Sequence, residues 1–488
     1  VSFPDLPGCF SAADKEGDST RAEVSLFNAS VFSVRATDWE RAIRVNRKFV
    51  GKYPASKDAD NLFYDIANYY LKLSDWDNAN EIYGEYAQKF PDSPRTVETF
   101  YRRGEYYEGR NELAQARLEY EKAMEKSADF KKRERDNNPF FSAEALFRLT
   151  DLKYRNYAEI RFRLPKTALD ESKERKKNAL LEIVDGYARV TSYGTMRLYE
   201  ATFKIGMSYE EFAQTWADQE IPEVDDTRRI VAKKEVNQTA TQLYERSLDA
   251  YKQGALALVR LAQSYSVPDS SDSTALARNE KVAQLDTTMQ VAWRWINRSK
   301  DKVSEVLYDV AELNHESMQN LLSAPAPENL SRVALFEFRL QLLSKFVQPV
   351  VVQITRAHQR NIQECDSLQI QSLWMEQSRS RIVATNNALA QEYAKLARQS
   401  LALYAGDLEN YKRAVAANDV QILEWQDEMS NAVDFSRNFA KTALQTYVGT
   451  LQQAQKSAIR PEALAETHDQ MLAFAFLASR TYDSLATV

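Results

Sequence analysis

A period of 37 residues constrains this chain more than any other feature of it. Shifted by that step, Trp39, Ala42 and Pro54 fall on Trp76, Ala79 and Pro91. Phe63, Ala67 and Tyr70 fall in the same way on Phe100, Gly104 and Tyr107. A further step carries Ala79 and Tyr83 to Ala116 and Tyr120. The turns repeat too, Lys-Tyr-Pro-Ala-Ser at 52–56 against Lys-Phe-Pro-Asp-Ser at 89–93. Self-similarity at a fixed spacing means stacked supersecondary units, each of which hides its apolar face only against the next.

Each unit reads as two helices. Phe63, Ala67 and Tyr70 recur at steps of four and three, which puts them on one helical face, and Ala79 and Tyr83 do the same in the following helix. Small residues at Ala42, Ala67, Ala79, Gly104 and Ala116 let paired helices approach closely, with aromatic rings filling the space beside them. Pro54 and Pro91 lack an N–H and cannot sit inside a helix, so they mark its end.

This pattern resembles the tetratricopeptide repeat family, whose small, aromatic and proline positions fall on Ala67, Ala79, Phe63, Tyr70 and Pro91. The family's repeat is about 34 residues, and here a few more follow each proline turn. The longer form is most similar to the repeats of bacterial outer-membrane assembly lipoproteins and of the periplasmic Tol-Pal coordinator. The resemblance implies an all-α, right-handed α-solenoid. It also implies a concave groove, faced in this sequence by Asn61, Tyr64, Asn68, Glu98, Tyr101, Arg102 and Glu105. Aromatics, amides and mixed charges there suit an extended peptide or a partner helix; the alternative is that these residues are only exposed. Family members that grip a C-terminal carboxylate use lysine and asparagine at set groove places. Here Tyr64 and Glu98 stand in two of the lysine places and only Asn68 and Arg102 match, so that mode is not expected.

Residues 1–22 read as an irregular lead-in. The solenoid is expected over 23–266, as about five helical pairs and a closing helix. Its later pairs are looser: Phe147 and Tyr154 fit a first helix, and Ala179 and Ile183 a second, with an insertion around Leu164–Lys176 between them. Ile205, Gly206 and Tyr209 repeat the first-helix signature, Ala240 and Tyr244 the second, and Leu258–Tyr265 gives a closing helix. The run Lys131–Pro139 reads as a solvated charged loop. The Pro- and Ser-bearing stretch up to Thr274 is the expected domain boundary.

From 275 to 488 the period changes. Val282 through Leu313, Cys365 through Leu403 and Tyr411 through Ala443 each alternate apolar steps of three and four, the mark of heptad seams. Pro325 and Pro327 should end the first helix, Pro349 should kink the second, Gly406 should end it, and Pro461 should open a last short helix. One helix of about 80 Å is expected from 350 to 404 at 1.5 Å per residue. Such helices should fold back into an antiparallel coiled-coil bundle. Ser299, Ser372, Arg379, Asn386, Asn418 and Ser436 interrupt the seams. They either fix register or lie at a solvent-facing edge.

The net charge of −6, from 64 basic and 70 acidic residues, gives no clustered positive field, so nucleic acid is not an expected partner. No run of about 18 apolar residues exists, so no transmembrane helix is expected. The start has neither a basic nor an apolar leader region, which suggests a mature or trimmed chain. Leu6-Pro7-Gly8-Cys9 is faintly similar to a lipoprotein cleavage box, but Asp5 is wrong for one, and an ordinary cysteine is the expectation. His315, His358 and His468 are isolated, and no phosphate loop, metal-ligand spacing or nucleophile motif occurs. No catalytic, cofactor-binding or metal residue is therefore expected, and no cofactor. The reading is a non-enzymatic scaffold that binds other proteins, in the periplasm or cell envelope of a bacterium or alternatively in the cytoplasm. The rival reading is a structural building block that self-associates through its bundle.

Overall fold

The computed structural model describes residues 19–222, 226–264, 287–417, 420–456, 459 and 464–485, and every regular element among them is a helix. Two compact units emerge: Val1–Glu159 with Leu181–Ala201, and Ile160–Leu180 with Thr202–Val488. The expected boundary before Thr274 lies outside the described residues, as do residues 1–18 of the lead-in, Cys9, Asn418 and Pro461; residues 19–22, expected to be irregular, instead open a helix, where Ala22 is buried one turn ahead of Leu26.

The first unit contains α1 (Ser19–Arg35), α2 (Trp39–Lys52), α3 (Ala59–Lys72), α4 (Trp76–Lys89), α5 (Arg95–Gly109), α6 (Leu113–Lys132) and α7 (Pro139–Ala158). Each helix packs on the next, and α5 also meets α7, one pair further on. Two kinds of joint alternate. Within a pair, Thr37, Ser74 and Asn111, one period apart, all adopt left-handed φ of 55°, 60° and 61°. The following N–H then reaches back to the helix end, as in Asp38 to Ser33, Asp75 to Tyr70 and Glu112 to Tyr107, each at 2.9 Å. Asp38 and Asp75 then cap α2 and α4, accepting from the Arg41 and Asn78 amides at 3.0 and 3.1 Å. Between pairs, the Tyr53 and Phe90 amides close onto Phe49 and Tyr86, both at 2.8 Å, ahead of the proline turns.

Close approach explains the small residues. A Cβ on Gly104 would lie 2.3 Å from the Tyr120 ring, so only glycine lets α6 pack there. Phe49, Phe63, Tyr86, Tyr120 and Phe130 are fully buried between successive helices, each contributing about 1.5–3 kcal/mol of apolar transfer.

In α8 (Lys166–Thr191) and α9 (Arg197–Ala217) the pattern persists, but Lys166–Lys176 is helix rather than the expected insertion. Lys176, at the end of that stretch, is fully buried, its ammonium donating to the Ile160 carbonyl at 2.9 Å and to Glu211 at 3.1 Å, so the extra turns are anchored in the fold. Ala240, Tyr244 and Leu258 do not belong to two helices but to one, α10 (Asp226–Ser264). No glycine–proline break separates them, and Gly254 allows α11 (Thr287–Leu322) to approach, a Cβ there lying 2.6 Å from the Ser299 hydroxyl.

The remaining helices are α12 (Arg332–Gln341), a π-helical turn (Leu342–Val347), α13 (Gln348–Leu368), α14 (Leu373–Ala417), α15 (Ile422–Lys456) and α16 (Ala465–Leu485). Pro349 sits in the first turn of α13, where a missing N–H is tolerated, directly after a π turn closed by the Gln348 amide on the Leu343 carbonyl. The single long helix expected from 350 to 404 is two. Gln369 takes a left-handed φ of 54° and the Ile370 amide folds back to the Cys365 carbonyl at 2.8 Å, so α13 and α14 pack side by side. Gly406 does not end a helix: α14 runs through it to Ala417, and the hairpin to α15 turns only there, dividing the expected third seam.

Two of the seam's polar residues are interior and three are half-buried. Ser299 and Ser436 are buried and donate to the Trp295 and Ala397 carbonyls at 3.0 and 3.2 Å, while the Asn386 amide donates across to Thr355 at 2.9 Å. Ser372 instead accepts from the Trp374 amide at the start of α14, and Arg379 pairs with Glu376.

Candidate functional site

Helices α3 and α5 carry the residues expected to face a groove. Asn61 is exposed, and Asn68 is half-buried and donates to Asp65 at 3.2 Å. Tyr64 and Tyr101, however, are buried at 8% and 4% exposure. Tyr64 packs against Tyr83 and Tyr86 with ring centroids 5.8 and 5.6 Å away, and Tyr101 against Tyr120 and Phe141 at 5.8 and 5.5 Å. They stand one step past the phenylalanine of their own helix and fill the seam with the second helix of their own pair, Tyr101 reaching Phe141 of the next pair as well. Burial, then the nearby Tyr83 and Glu98, hold the Tyr64 phenol well above its usual range. Burial and Glu105, which accepts its hydroxyl at 2.8 Å, do the same for Tyr101.

Glu98, Arg102 and Glu105 come together on α5, with Arg102 3.5 Å from Glu98 and 3.0 Å from Glu105. Burial works against the Arg102 charge, but Glu105 and Glu98 outweigh it and hold its pKa above the usual value. Its guanidinium lies 5.8 Å from the Tyr101 ring centroid and 5.2 Å from that of Phe141.

Beside this cluster opens a groove of about 790 Å³, where the end of α3, the start of α4 and the end of α5 meet. Arg102 and Glu105 line it, but Asn61, Tyr64, Asn68, Glu98 and Tyr101 do not. The residues that shape it were not singled out as groove residues by the sequence: Trp76, Asp77, Asn80, Tyr106 and Arg110. One signal for them existed, since Trp76 repeats Trp39. The two tryptophans nonetheless sit differently. Trp39 stacks on Tyr69 with centroids 5.7 Å apart and planes 23° from parallel. Tyr106, the equivalent of Tyr69, instead donates its hydroxyl to Asp77 at 2.5 Å and packs edge-on to Tyr107 at 5.2 Å. Arg110, 3.3 Å from Asp77, covers the Tyr106 ring at 5.4 Å. Trp76 is left 61% exposed.

Two polar clusters lie in the second unit. Glu210, Glu305 and Asp309 bring one carboxylate oxygen each within 4.8 Å of one another, a spacing that a cation could bridge. Lys302 already supplies the positive charge, at 2.8 Å from Glu210 and 2.9 Å from Glu305. Burial, then Glu305 and Glu210, push the Asp309 carboxyl up to about 7. Against another face of α11, His358 of α13 is fully buried, its Nδ1 3.1 Å from the Ser378 hydroxyl and its Nε2 4.0 Å from Glu312. Burial, then Arg381 and His315, push this imidazole down to about 3. His358 and His315 are thus neighbours in space, though the sequence places them far apart.

Residues 62–93 match the model of the tetratricopeptide repeat, so the chain carries such a repeat within its all-α stack. No curated protein matches the chain. Among solved structures it is similar to a circular tandem repeat protein with novel repeat topology and enhanced subunit contact surfaces. That pair shows 14% identity and a TM-score of 0.21, over 95% of this chain and 97% of that one. The yeast Tom70 crystal structure gives 12% identity and a TM-score of 0.20 over 96% and 97%. The structure of Naa15/Naa10 bound to HypK-THB gives 11% and 0.21 over 94% and 89%. Scores this low carry no argument, and the architecture rests on the helices themselves.

Proposed function

We propose that this chain is a non-enzymatic scaffold for protein–protein interaction, docking partner segments on its repeat unit. One observation carries the reading: within the stretch that includes the matched repeat, the helices leave an open groove whose wall mixes an exposed indole with charged and amide groups. Such a surface binds by shape and side-chain complementarity, with no covalent step. The setting we propose is a multiprotein assembly of the bacterial cell envelope, on the likeness of the longer repeat, with its Tyr-Pro-x-Ser ending at 53–56, to envelope repeat proteins.

The test is affinity purification of the tagged chain from its native source, followed by mass spectrometry. It is run beside Gly109→Arg, which puts a long side chain on the groove wall at a position where a Cβ meets nothing within 4 Å. A partner retained by the native chain and lost by the variant, at equal melting temperature, is the expected result. Recovery of no stoichiometric partner, or of the same set from both, would sink the scaffold reading. Replacing Tyr64 and Tyr101 would not serve, because both rings are core.

A second reading has its own support. At the α14–α15 hairpin, Val415, Val420 and Leu423 are 48%, 95% and 72% exposed, an apolar end suited to self-association. Mass that rises with concentration in light scattering, and ceases to do so in Leu423→Lys, would favour a building block. Leu389 is buried and its replacement would report folding instead.

A further inference from the structure

We propose that the groove beside Trp76 receives the guanidinium of an arginine carried by a basic partner segment. This rests on the reading of the repeat unit as a docking surface and names the chemistry of what docks. The chain itself shows which group is missing. Its first pair covers Trp39 with the ring of Tyr69, whereas in the second pair Asp77 and Arg110 hold Tyr106 in another contact and Trp76 keeps an open face. An indole face in a groove takes either another ring or a cation.

Charge decides between them. Asp75, Asp77 and Glu105 stand on the groove wall. The two cations there are already committed, Arg102 to Glu98 and Glu105 and Arg110 to Asp77 and Glu112 at 3.1 Å. Carboxylates therefore outnumber guanidinium groups around the opening, and the field left over favours an incoming positive charge. The wall also holds an unmet acceptor. The Asn80 backbone carbonyl takes a hydrogen bond from Arg103 at 2.9 Å, but its side-chain Oδ1 is buried without a partner. Turned toward the groove, that oxygen accepts an N–H from a planar group stacked on Trp76. An arginine offers such N–H donors and a flat face together. A lysine ammonium offers donors without the face, and an apolar ring offers the face without the charge.

The experiment uses the full chain labelled with 5-fluorotryptophan, whose seven tryptophans give separate fluorine NMR signals, the Trp76 signal being assigned by its loss in Trp76→Phe. The probe is acetyl-Gly-Arg-Gly-amide, compared with the same peptide carrying citrulline, which keeps the shape and removes the charge. The expected result is a saturable shift of the Trp76 signal with the arginine peptide, and binding roughly five- to thirty-fold weaker with citrulline. Equal response to the two peptides, or no shift of Trp76, overturns the proposal. So does a larger shift with acetyl-Gly-Trp-Gly-amide, which would make the occupant a ring. Trp76→Leu in the native-source purification separates this proposal from the broader one. A partner lost with Gly109→Arg but kept with Trp76→Leu leaves the scaffold standing and removes the arginine subsite.

Discussion

Acid should loosen the second unit through one side chain, and His358→Gln should cancel the effect. The imidazole is fully buried between α11, α13 and α14, facing Ser378, Glu312, His315 and Arg381. Its pKa falls to about 3 in the folded chain, against about 6.5 when unfolded. Protons therefore bind the unfolded chain first. The native state has its full stability above about pH 6.5 and loses it as pH falls from there toward 3, at up to about 1.4 kcal/mol per pH unit. Between about pH 7.5 and pH 5 the loss from this residue alone amounts to about 2 kcal/mol. Carboxylates elsewhere also titrate, so the informative quantity is a difference between proteins. Urea unfolding followed by tryptophan fluorescence suits the purpose, because Trp374 packs on Tyr308, which itself packs on His358, with centroids 5.1 and 5.5 Å apart. Glutamine retains a hydrogen-bonding group near Ser378 and has no proton to gain. The native chain should lose about 2 kcal/mol more than the variant over that interval. Parallel pH profiles for the two proteins would refute the assignment.

Asp309 should act in the opposite direction. Its carboxyl is pushed up to about 7 in the fold, so its charge penalises the native state above that pH and the penalty is relieved as pH falls toward about 3.8. Asp309→Asn should therefore stabilise the chain near pH 8 by up to about 4 kcal/mol, with no gain near pH 4, as read by urea midpoints. Paired glycine substitutions test the stacking geometry. Gly104→Ala, which drives a methyl into the buried Tyr120 ring, should cost about 1–3 kcal/mol in thermal or urea unfolding. Gly51→Ala, which meets nothing within 4 Å, should instead gain about 0.5–1 kcal/mol from helix propensity.

What the sequence made legible was chemistry with a short reach. The small and aromatic positions of α2 through α6 announce their helices because each side chain contacts residues a few steps or one period away. The limits of the bundle helices were hidden for a related reason. A seam of three- and four-residue steps runs unbroken through Cys365, Leu368 and Ser372, and no glycine or proline marks the turn at Gln369. What turns the chain there is the packing of α13 on α14, which no local pattern encodes. Conversely, Gly406 suggested an end where α14 simply continues in open space. The site follows the same logic. Tyr64 and Tyr101 were placed by their own helix, and their burial comes from rings on the following helices. Trp76 was visible as a repeat of Trp39, but its exposure depends on Tyr106 having a different hydrogen-bond partner from Tyr69.

The joints at Thr37, Ser74 and Asn111 share one backbone shape despite three different side chains. A module bounded by two such joints presents the same coupling at either end. A segment added or removed at such joints would need no new connection, although the faces it presents differ from pair to pair, as Trp39 and Trp76 do. Lengthening the stack in this way would extend the surface on which other molecules settle, while each coupling keeps the angle it already has.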